Sequence, residues 1–153
     1  DDFVIAQSFM FYAIFSVITL FIAGPIVDKL TSRKILPFMN VPSLFAMLIL
    51  FYFDNYISSY FLLGLMGISN GLANVLGSST WAEIYGVKYI GSIKALTTSM
   101  MVFSTAFGTA VFGVIIDFGY SIEVIAMVSF IYMVVANLLI ILFKEGIKPI
   151  LIK

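Results

Sequence analysis

Charged residues divide the chain into long uncharged intervals. Five stretches of 19 to 28 residues contain no Asp, Glu, Lys or Arg, namely 3–27, 35–53, 55–82, 95–116 and 124–143. A helix needs about 20 apolar residues to cross a bilayer. Apolar and polar residues do not alternate within these stretches as they would in a membrane β-barrel, and a backbone in hydrocarbon must satisfy its own hydrogen bonds. The pattern therefore predicts an all-α, polytopic transmembrane helix bundle with five spans, at about 3–27, 35–53, 56–82, 92–116 and 122–143.

The amino-acid composition excludes several classes of protein. Hydrophobic residues make up 62% of the sequence and charged residues 10%, whereas soluble domains contain about 25% charged residues. A soluble enzyme and a nucleic-acid-binding protein are therefore excluded. The sequence contains no Cys and no His, so these residues offer no disulfide, thiolate chemistry or histidine-ligated metal. With no paired carboxylates at membrane depth and no glycine-rich phosphate loop, we expect no enzymatic activity, no metal and no cofactor.

The basic residues indicate how the spans are oriented. All eight follow span one, three or five: Lys29, Arg33, Lys34, Lys88, Lys94, Lys144, Lys148 and Lys153. The charged residues at the opposite ends are acidic: Asp1, Asp2, Asp54, Asp117 and Glu123. The positive-inside rule then places the amino end outside and the carboxyl end in the cytoplasm, in an integral protein of the cell (inner) membrane. Because an external start without a targeting segment is unusual, we expect the chain to be the C-terminal part of a longer polytopic protein.

Polar residues at membrane depth are unevenly distributed among the spans. Spans one, three and four are rich in Ser, Thr, Asn and Gln, whereas span five has only Ser129 and Asn137. Such side chains usually face other helices or a water-filled cavity. We therefore expect spans one, three and four to line a cavity, and spans two and five to face lipid. The candidates for the substrate cavity are Gln7, Asn70, Asn74, Thr98 and Thr105.

The two Asn residues of span three have two possible roles. Asn70 and Asn74 are four residues apart and so share a helix face. They either bond to a neighbouring helix or line a cavity, and the sequence favours neither role over the other. Glycines near the candidates are predicted to permit close helix packing: Gly67, Gly71, Gly108 and Gly113.

The first inner link carries a recognisable motif. It reads Gly24-Pro-Ile-Val-Asp28-Lys29-Leu-Thr-Ser-Arg33-Lys34. This resembles the G-x-L-A-D-R-x-G-R-R/K signature of the major facilitator superfamily, which joins the second and third helices of each six-helix half. Four residues match the signature in type, while Thr31 and Ser32 replace a Gly and an Arg.

The second inner link extends the resemblance. Residues 81–96 include Glu83, Gly86, Gly91 and Lys94, and they look like the E-x-x-G…G-x-x-R/K-A link between helices ten and eleven of these carriers. Residues 106–117 resemble the eleventh helix. The resemblance implies that the five spans correspond to helices eight to twelve. It also implies that helices eight, ten and eleven line the cavity, and that helix seven and the amino-terminal half lie outside this chain.

The resemblance further implies a charged latch on the cytoplasmic side. In the family, the signature Asp and its basic partners bridge helices while the carrier is open outward and separate when it opens inward. Carried over, Asp28 is the acceptor, and Arg33 or Lys34 pairs with Glu83. Alternatively, the basic residues only fix the topology. The candidate latch and motif residues are Gly24, Asp28, Lys29, Arg33, Lys34, Glu83 and Lys94.

These patterns predict a membrane transporter. The resemblance implies secondary active or facilitative transport of a small polar or organic solute by alternating access. The expected partners are the solute, the lipid bilayer and the missing amino-terminal half of the carrier. The alternative is a small membrane scaffold or regulatory subunit that acts through its Gly, Ser and Thr helix faces.

Overall fold

The computed structural model describes residues 2–53 and 55–143. Six α-helices form the described part of the chain: α1 (Asp2–Leu30), α2 (Ser32–Ile35), α3 (Val41–Tyr52), α4 (Tyr56–Tyr85), α5 (Ile90–Asp117) and α6 (Ile122–Phe143). A short 3₁₀ helix, Leu36–Phe38, joins α2 to α3. The described residues contain no strand, which confirms the predicted all-α class.

Five helical segments are long and apolar enough to cross a membrane. They are Phe3–Leu30, Ser32–Tyr52, Tyr56–Tyr85, Ile90–Asp117 and Ile122–Phe143. The prediction of five spans is therefore confirmed. Three of the basic residues that indicated the orientation, Lys144, Lys148 and Lys153, lie outside the described residues.

The second span is segmented, whereas the sequence predicted one continuous interval. Pro37 lies in the 3₁₀ helix and Pro42 at the start of α3. A proline has no N–H to donate, so it is best tolerated in the first turn of an α-helix. Pro42 lies in the first turn of α3, where no N–H is needed, and Pro37 lies in the 3₁₀ helix that separates α2 from α3.

The core of the bundle is the contact between α1 and α4, which run parallel. Successive contacts pair Gln7 with Tyr60, Tyr12 with Gly67, and Ser16 with Asn70, so both helices advance together along the contact. On another face, α4 packs against α3, and α3 in turn packs against α6. Helix α4 therefore lies between α1 and α3.

Span four, which was predicted from its polar residues to line a cavity, forms a helix with little burial within the described chain. None of the residues of α5 is buried among the described residues, and α5 touches its neighbours only sparsely. Four of its hydroxyl groups, those of Thr97, Ser99, Thr105 and Thr109, bond to carbonyls of their own helix, as Ser99 does with Ala95 at 2.8 Å. Because Ser and Thr can satisfy themselves in this way, a polar stripe does not require a partner helix.

Span two also differs, since α3 contacts both α4 and α6 instead of only facing lipid. Ser43, Ala46 and Met47 of α3 are buried. Ser43 and Ala46 are small and let the neighbouring helices approach α3 closely. The low polar content of span two therefore did not reveal that it contacts two other helices.

Candidate functional site

Two of the predicted cavity residues lie in the contact between α1 and α4. The Tyr60 hydroxyl donates a hydrogen bond to Gln7 Oε1 at 2.7 Å. Asn70 Nδ2 donates to the Oγ atom of Ser16 at 3.1 Å, and Ser16 is buried. Both Gln7 and Asn70 therefore hold the two helices together, and for Asn70 the geometry matches the interhelical role.

Glycines make the approach of α4 to α1 close enough for these bonds. A Cβ atom built on Gly67 would lie 2.4 Å from the carbonyl oxygen of Tyr12. One built on Gly71 would lie 2.7 Å from both the carbonyl oxygen of Ser16 and Cβ of Thr19. Real Cβ atoms do not come this close to other heavy atoms, so the observed helix separation requires glycine at both positions.

Two other predicted cavity residues meet in a cleft between α4 and α5. The cleft has a volume of about 320 Å³, and its lining includes Asn74, Gly77, Ser78, Trp81, Lys94 and Thr98. Asn74 Nδ2 donates to the carbonyl oxygen of Asn70 in its own helix at 2.9 Å. The two Asn residues, one turn apart, thus have different surroundings: Asn70 faces α1, and Asn74 lines the cleft.

The structure does not bring Thr105 into either group. Its Oγ1 atom donates to the carbonyl oxygen of Met101 at 2.8 Å, and the side chain is exposed. Thr105 lies one turn beyond Met101, the last α5 residue that lines the cleft. Of the five candidates, Asn74 and Thr98 therefore line the same cleft in the described part of the chain.

The predicted packing surface on α5 is open. No heavy atom of the described residues lies within 4 Å of a Cβ atom built on Gly108 or Gly113. Gly108 lines a groove of about 580 Å³ between α5 and α6, together with aromatic residues such as Phe107 and Tyr132. These two glycines therefore differ from Gly67 and Gly71, because within the described chain α5 lacks the neighbour that they would contact.

At the end of the bundle where α1 and α4 terminate, α4 and the link after α1 are joined through Glu83. Arg33 Nε lies 3.6 Å from Glu83 Oε2. The other carboxylate oxygen, Oε1, accepts a 2.7 Å hydrogen bond from the backbone N–H of Ser32. The pair predicted between Arg33 and Glu83 is thus present as a contact, and a main-chain donor fixes the orientation of the carboxylate.

The other motif residues lie around this contact without forming one cluster. Asp28, Lys29 and Lys34 are exposed. A Cβ atom on Gly24 would meet no heavy atom of the described residues within 4 Å. Lys94 lines the cleft between α4 and α5 and does not join Glu83.

The contact of Ser32 with Glu83 was missed by sequence reasoning, for two reasons. Ser32 is fully buried, yet it entered the sequence argument only as a replacement for a motif Arg. Its contribution is a backbone N–H, which every residue except proline has. The sequence offered one signal, which is that Thr31 stands where the signature has glycine. In the structure Thr31 has a φ of 68° and turns the chain at this point. Glycine adopts such a φ most readily.

Comparison with known protein families identifies the family of this chain. Residues 2–149 match the family model described as Major Facilitator Superfamily. No curated protein and no solved structure matches the chain. The family match covers nearly the whole chain and agrees with the motifs of both inner links. The chain belongs to the major facilitator superfamily, a family of membrane transporters.

Proposed function

We propose that the chain is part of a secondary transporter that moves a small polar or organic solute by alternating access. The observation that carries this proposal is the contact of Arg33 and Ser32 with Glu83. This contact joins the link after α1 to the inner end of α4. Helices α1 and α4 run parallel, and both begin at the opposite side of the membrane. A contact at one end of a bundle favours the state in which that end is closed, and its release favours the opposite state.

The solute site is proposed to include the cleft between α4 and α5. Polar groups are expensive at membrane depth and usually mark a site or a helix contact. Asn74 and Thr98 reach the cleft from different helices, and Asn74 is exposed instead of being held by a neighbouring helix. Helix α5 buries nothing within the described chain, which leaves it able to move relative to α4.

The register and orientation of the spans are part of the proposal. The two inner links resemble those of the carboxyl-terminal half, so α1 is assigned to helix eight and α6 to helix twelve of a carrier whose amino-terminal half completes the transport path. The basic residues at the inner links support the proposal that these links lie in the cytoplasm, in an integral protein of the cell membrane.

Counterflow tests the proposed function. The full-length carrier is reconstituted in vesicles loaded with one unlabelled polar solute from a panel, and entry of the same labelled solute is measured. A carrier that alternates between two states exchanges solute across the membrane, so at least one solute should enter faster into loaded vesicles than into empty ones. If no solute of the panel is exchanged while the protein is correctly inserted, the transporter proposal fails and the scaffold function takes its place.

Two variants test whether the inner link takes part in the transport measured by counterflow. Asp28→Asn removes the charge of the signature acid at the end of α1 and should sharply reduce exchange without reducing insertion. Asp117→Asn is the matched control because Asp117 ends α5 at the opposite side of the membrane. Full exchange by Asp28→Asn would contradict a role of the inner link in the transport cycle.

A further inference from the structure

The described lining of the cleft between α4 and α5 carries a positive charge and no negative charge. Lys94 is the charged residue among the described residues that line it, and none of those residues is acidic. The neighbouring surface is formed by uncharged polar groups, including those of Asn74, Ser78 and Thr98. An ammonium group without an acidic partner in the same cleft attracts anions, and it does so more strongly where the surroundings are partly apolar.

The nearest acidic residue of α4 faces the other way. Helical residues are rotated by about 100° each, so Glu83 lies roughly opposite to the stripe formed by Asn74, Ser78 and Trp81. The contacts of Glu83 agree, since its carboxylate is bonded to Ser32 and lies 3.6 Å from Arg33. The inner end of the bundle thus separates its charges, with Glu83 directed to the first link and Lys94 to the cleft.

The cleft presents both hydrogen-bond donors and hydrogen-bond acceptors. The hydroxyl protons of Ser78 and Thr97 are directed to carbonyl oxygens of their own helices, at 3.4 and 3.0 Å. Lys94 carries three N–H donors and no acceptor, and the indole N–H of Trp81 can only donate. The Ser78 and Thr97 hydroxyls therefore offer only acceptor oxygens to a ligand. The donor-only groups of the lining are the Lys94 ammonium and the Trp81 indole N–H, and these are the groups that an anion can use.

The cleft also has suitable size and access. Its volume of about 320 Å³ lies at the lower end of the range of about 300–1,000 Å³ for small-molecule pockets. Gly77 contributes to this space, because a Cβ atom there would have no heavy atom of the described residues within 4 Å. A small solute with one anionic group fits such a site.

We propose that this cleft binds the carboxylate or phosphate group of an anionic ligand, with Lys94 supplying the charge and Trp81 and Asn74 lying beside it. The inference rests on the proposed transport function, of which it specifies the substrate class. The same chemistry could also hold the headgroup of an acidic lipid, so the experiment separates a soluble anion from a lipid.

The first measurement reports the potential inside the cleft. The 153 residues contain no cysteine, so Thr98→Cys places a thiol in the cleft of the full-length carrier, and the parent protein gives the background labelling. The rates of reaction with an anionic and a cationic methanethiosulfonate reagent are compared in phosphatidylcholine vesicles. Lys94→Gln should lower the ratio of anionic to cationic rate about fivefold, since removing one charge changes the two rates in opposite directions.

Two further variants make this result specific. Lys94→Arg keeps the charge and should keep the ratio. Lys88→Gln removes a charge from the same link, where the Lys88 ammonium lies 5.3 Å from the centre of the Tyr89 ring, and it should leave the ratio unchanged. A ratio that does not depend on Lys94, or a thiol that neither reagent reaches, would overturn the proposal.

The second measurement identifies the source of the anion. Acetate or inorganic phosphate should slow the labelling of Thr98→Cys, and this protection should be lost in Lys94→Gln. Protection that appears only when phosphatidylglycerol is added to the vesicles assigns the cleft to a lipid headgroup and overturns its role as a solute site. The counterflow measurement is independent of both labelling results. An absence of anion binding therefore leaves the proposed transport function intact, whereas an absence of counterflow contradicts the transport function itself.

Discussion

Gly67 of α4 lies against the main chain of Tyr12 on α1, so that an added Cβ atom would be 2.4 Å from the Tyr12 carbonyl oxygen. Backbone cannot rotate away as the end of a side chain can, so Gly67→Ala must separate the two helices. We expect the free energy of unfolding to fall by about 1–3 kcal/mol, as for other overpacked sites. Gly77→Ala, on the same helix, is the control because its Cβ would meet open space. Equal unfolding curves for both variants in mixed micelles would show that this helix contact is not tight.

A second expected effect concerns the start of α3. The first N–H groups of a helix have no partner within the helix, and that of Ser43 donates to the Ser69 hydroxyl of α4 at 3.0 Å. Both residues are buried. Ser69→Ala leaves this N–H without its acceptor and should lower the free energy of unfolding by about 1–3 kcal/mol.

The control for Ser69 is another serine of the same helix. Ser79 donates to the Val75 carbonyl oxygen within α4 at 2.9 Å, so Ser79→Ala leaves no group of another helix unpaired. Its effect on the unfolding free energy should be near zero. A similar loss of stability in both variants would indicate that the bond from Ser43 contributes nothing beyond the general cost of removing a hydroxyl.

The five spans could be predicted because a bilayer sets a minimum length for an uncharged stretch of sequence. About 20 residues without charge are needed for each helix, and the charges of this chain separate five such intervals. The α1–α4 contact was less accessible to sequence reasoning. The spacing of Gly67 and Gly71 suggested a close contact, but it did not identify α1 as the partner.

Asn70 and Asn74 illustrate why the site itself could not be resolved from sequence. Four residues correspond to about 400° of helical rotation, so the two amides share a face but differ in direction by about 40°. That difference is sufficient to direct Asn70 to Ser16 on α1 and to leave Asn74 in the cleft with α5. The positions of the neighbouring helices, which no residue spacing encodes, decide which amide is available to a ligand.

Thr31 provides a prediction of increased stability. Its φ of 68° is a conformation that costs a residue with a Cβ atom about 1–3 kcal/mol, and glycine adopts it without this cost. Because glycine also gains entropy in the unfolded chain, Thr31→Gly should raise the free energy of unfolding by a net value of about 1 kcal/mol. Thr31→Ala retains the strain and serves as the control. A loss of stability in Thr31→Gly would mean that the bond from the Thr31 hydroxyl to the Leu30 carbonyl outweighs the strain.

The last prediction asks whether Arg33 and Glu83 act as a unit. Both side chains are partly exposed, at 29% and 25%, so their attraction contributes about 1 kcal/mol at most to stability. The same free energy can nevertheless change the ratio of two conformations about fivefold. Glu83→Gln removes the charge but keeps an oxygen that can accept the hydrogen bond of Ser32, so its effect reports the ion pair alone.

A double-mutant cycle on the rate of solute exchange provides the measurement. Arg33→Gln and Glu83→Gln should each change the rate by several-fold, and the double variant should be no more impaired than the stronger single variant, because the second substitution has no pair left to break. Lys34→Gln, which neutralises the adjacent exposed residue, should combine with Glu83→Gln by simple multiplication. Multiplicative effects of Arg33→Gln and Glu83→Gln would instead mean that each residue acts separately. The 3.6 Å contact would then not control the proposed exchange between conformations.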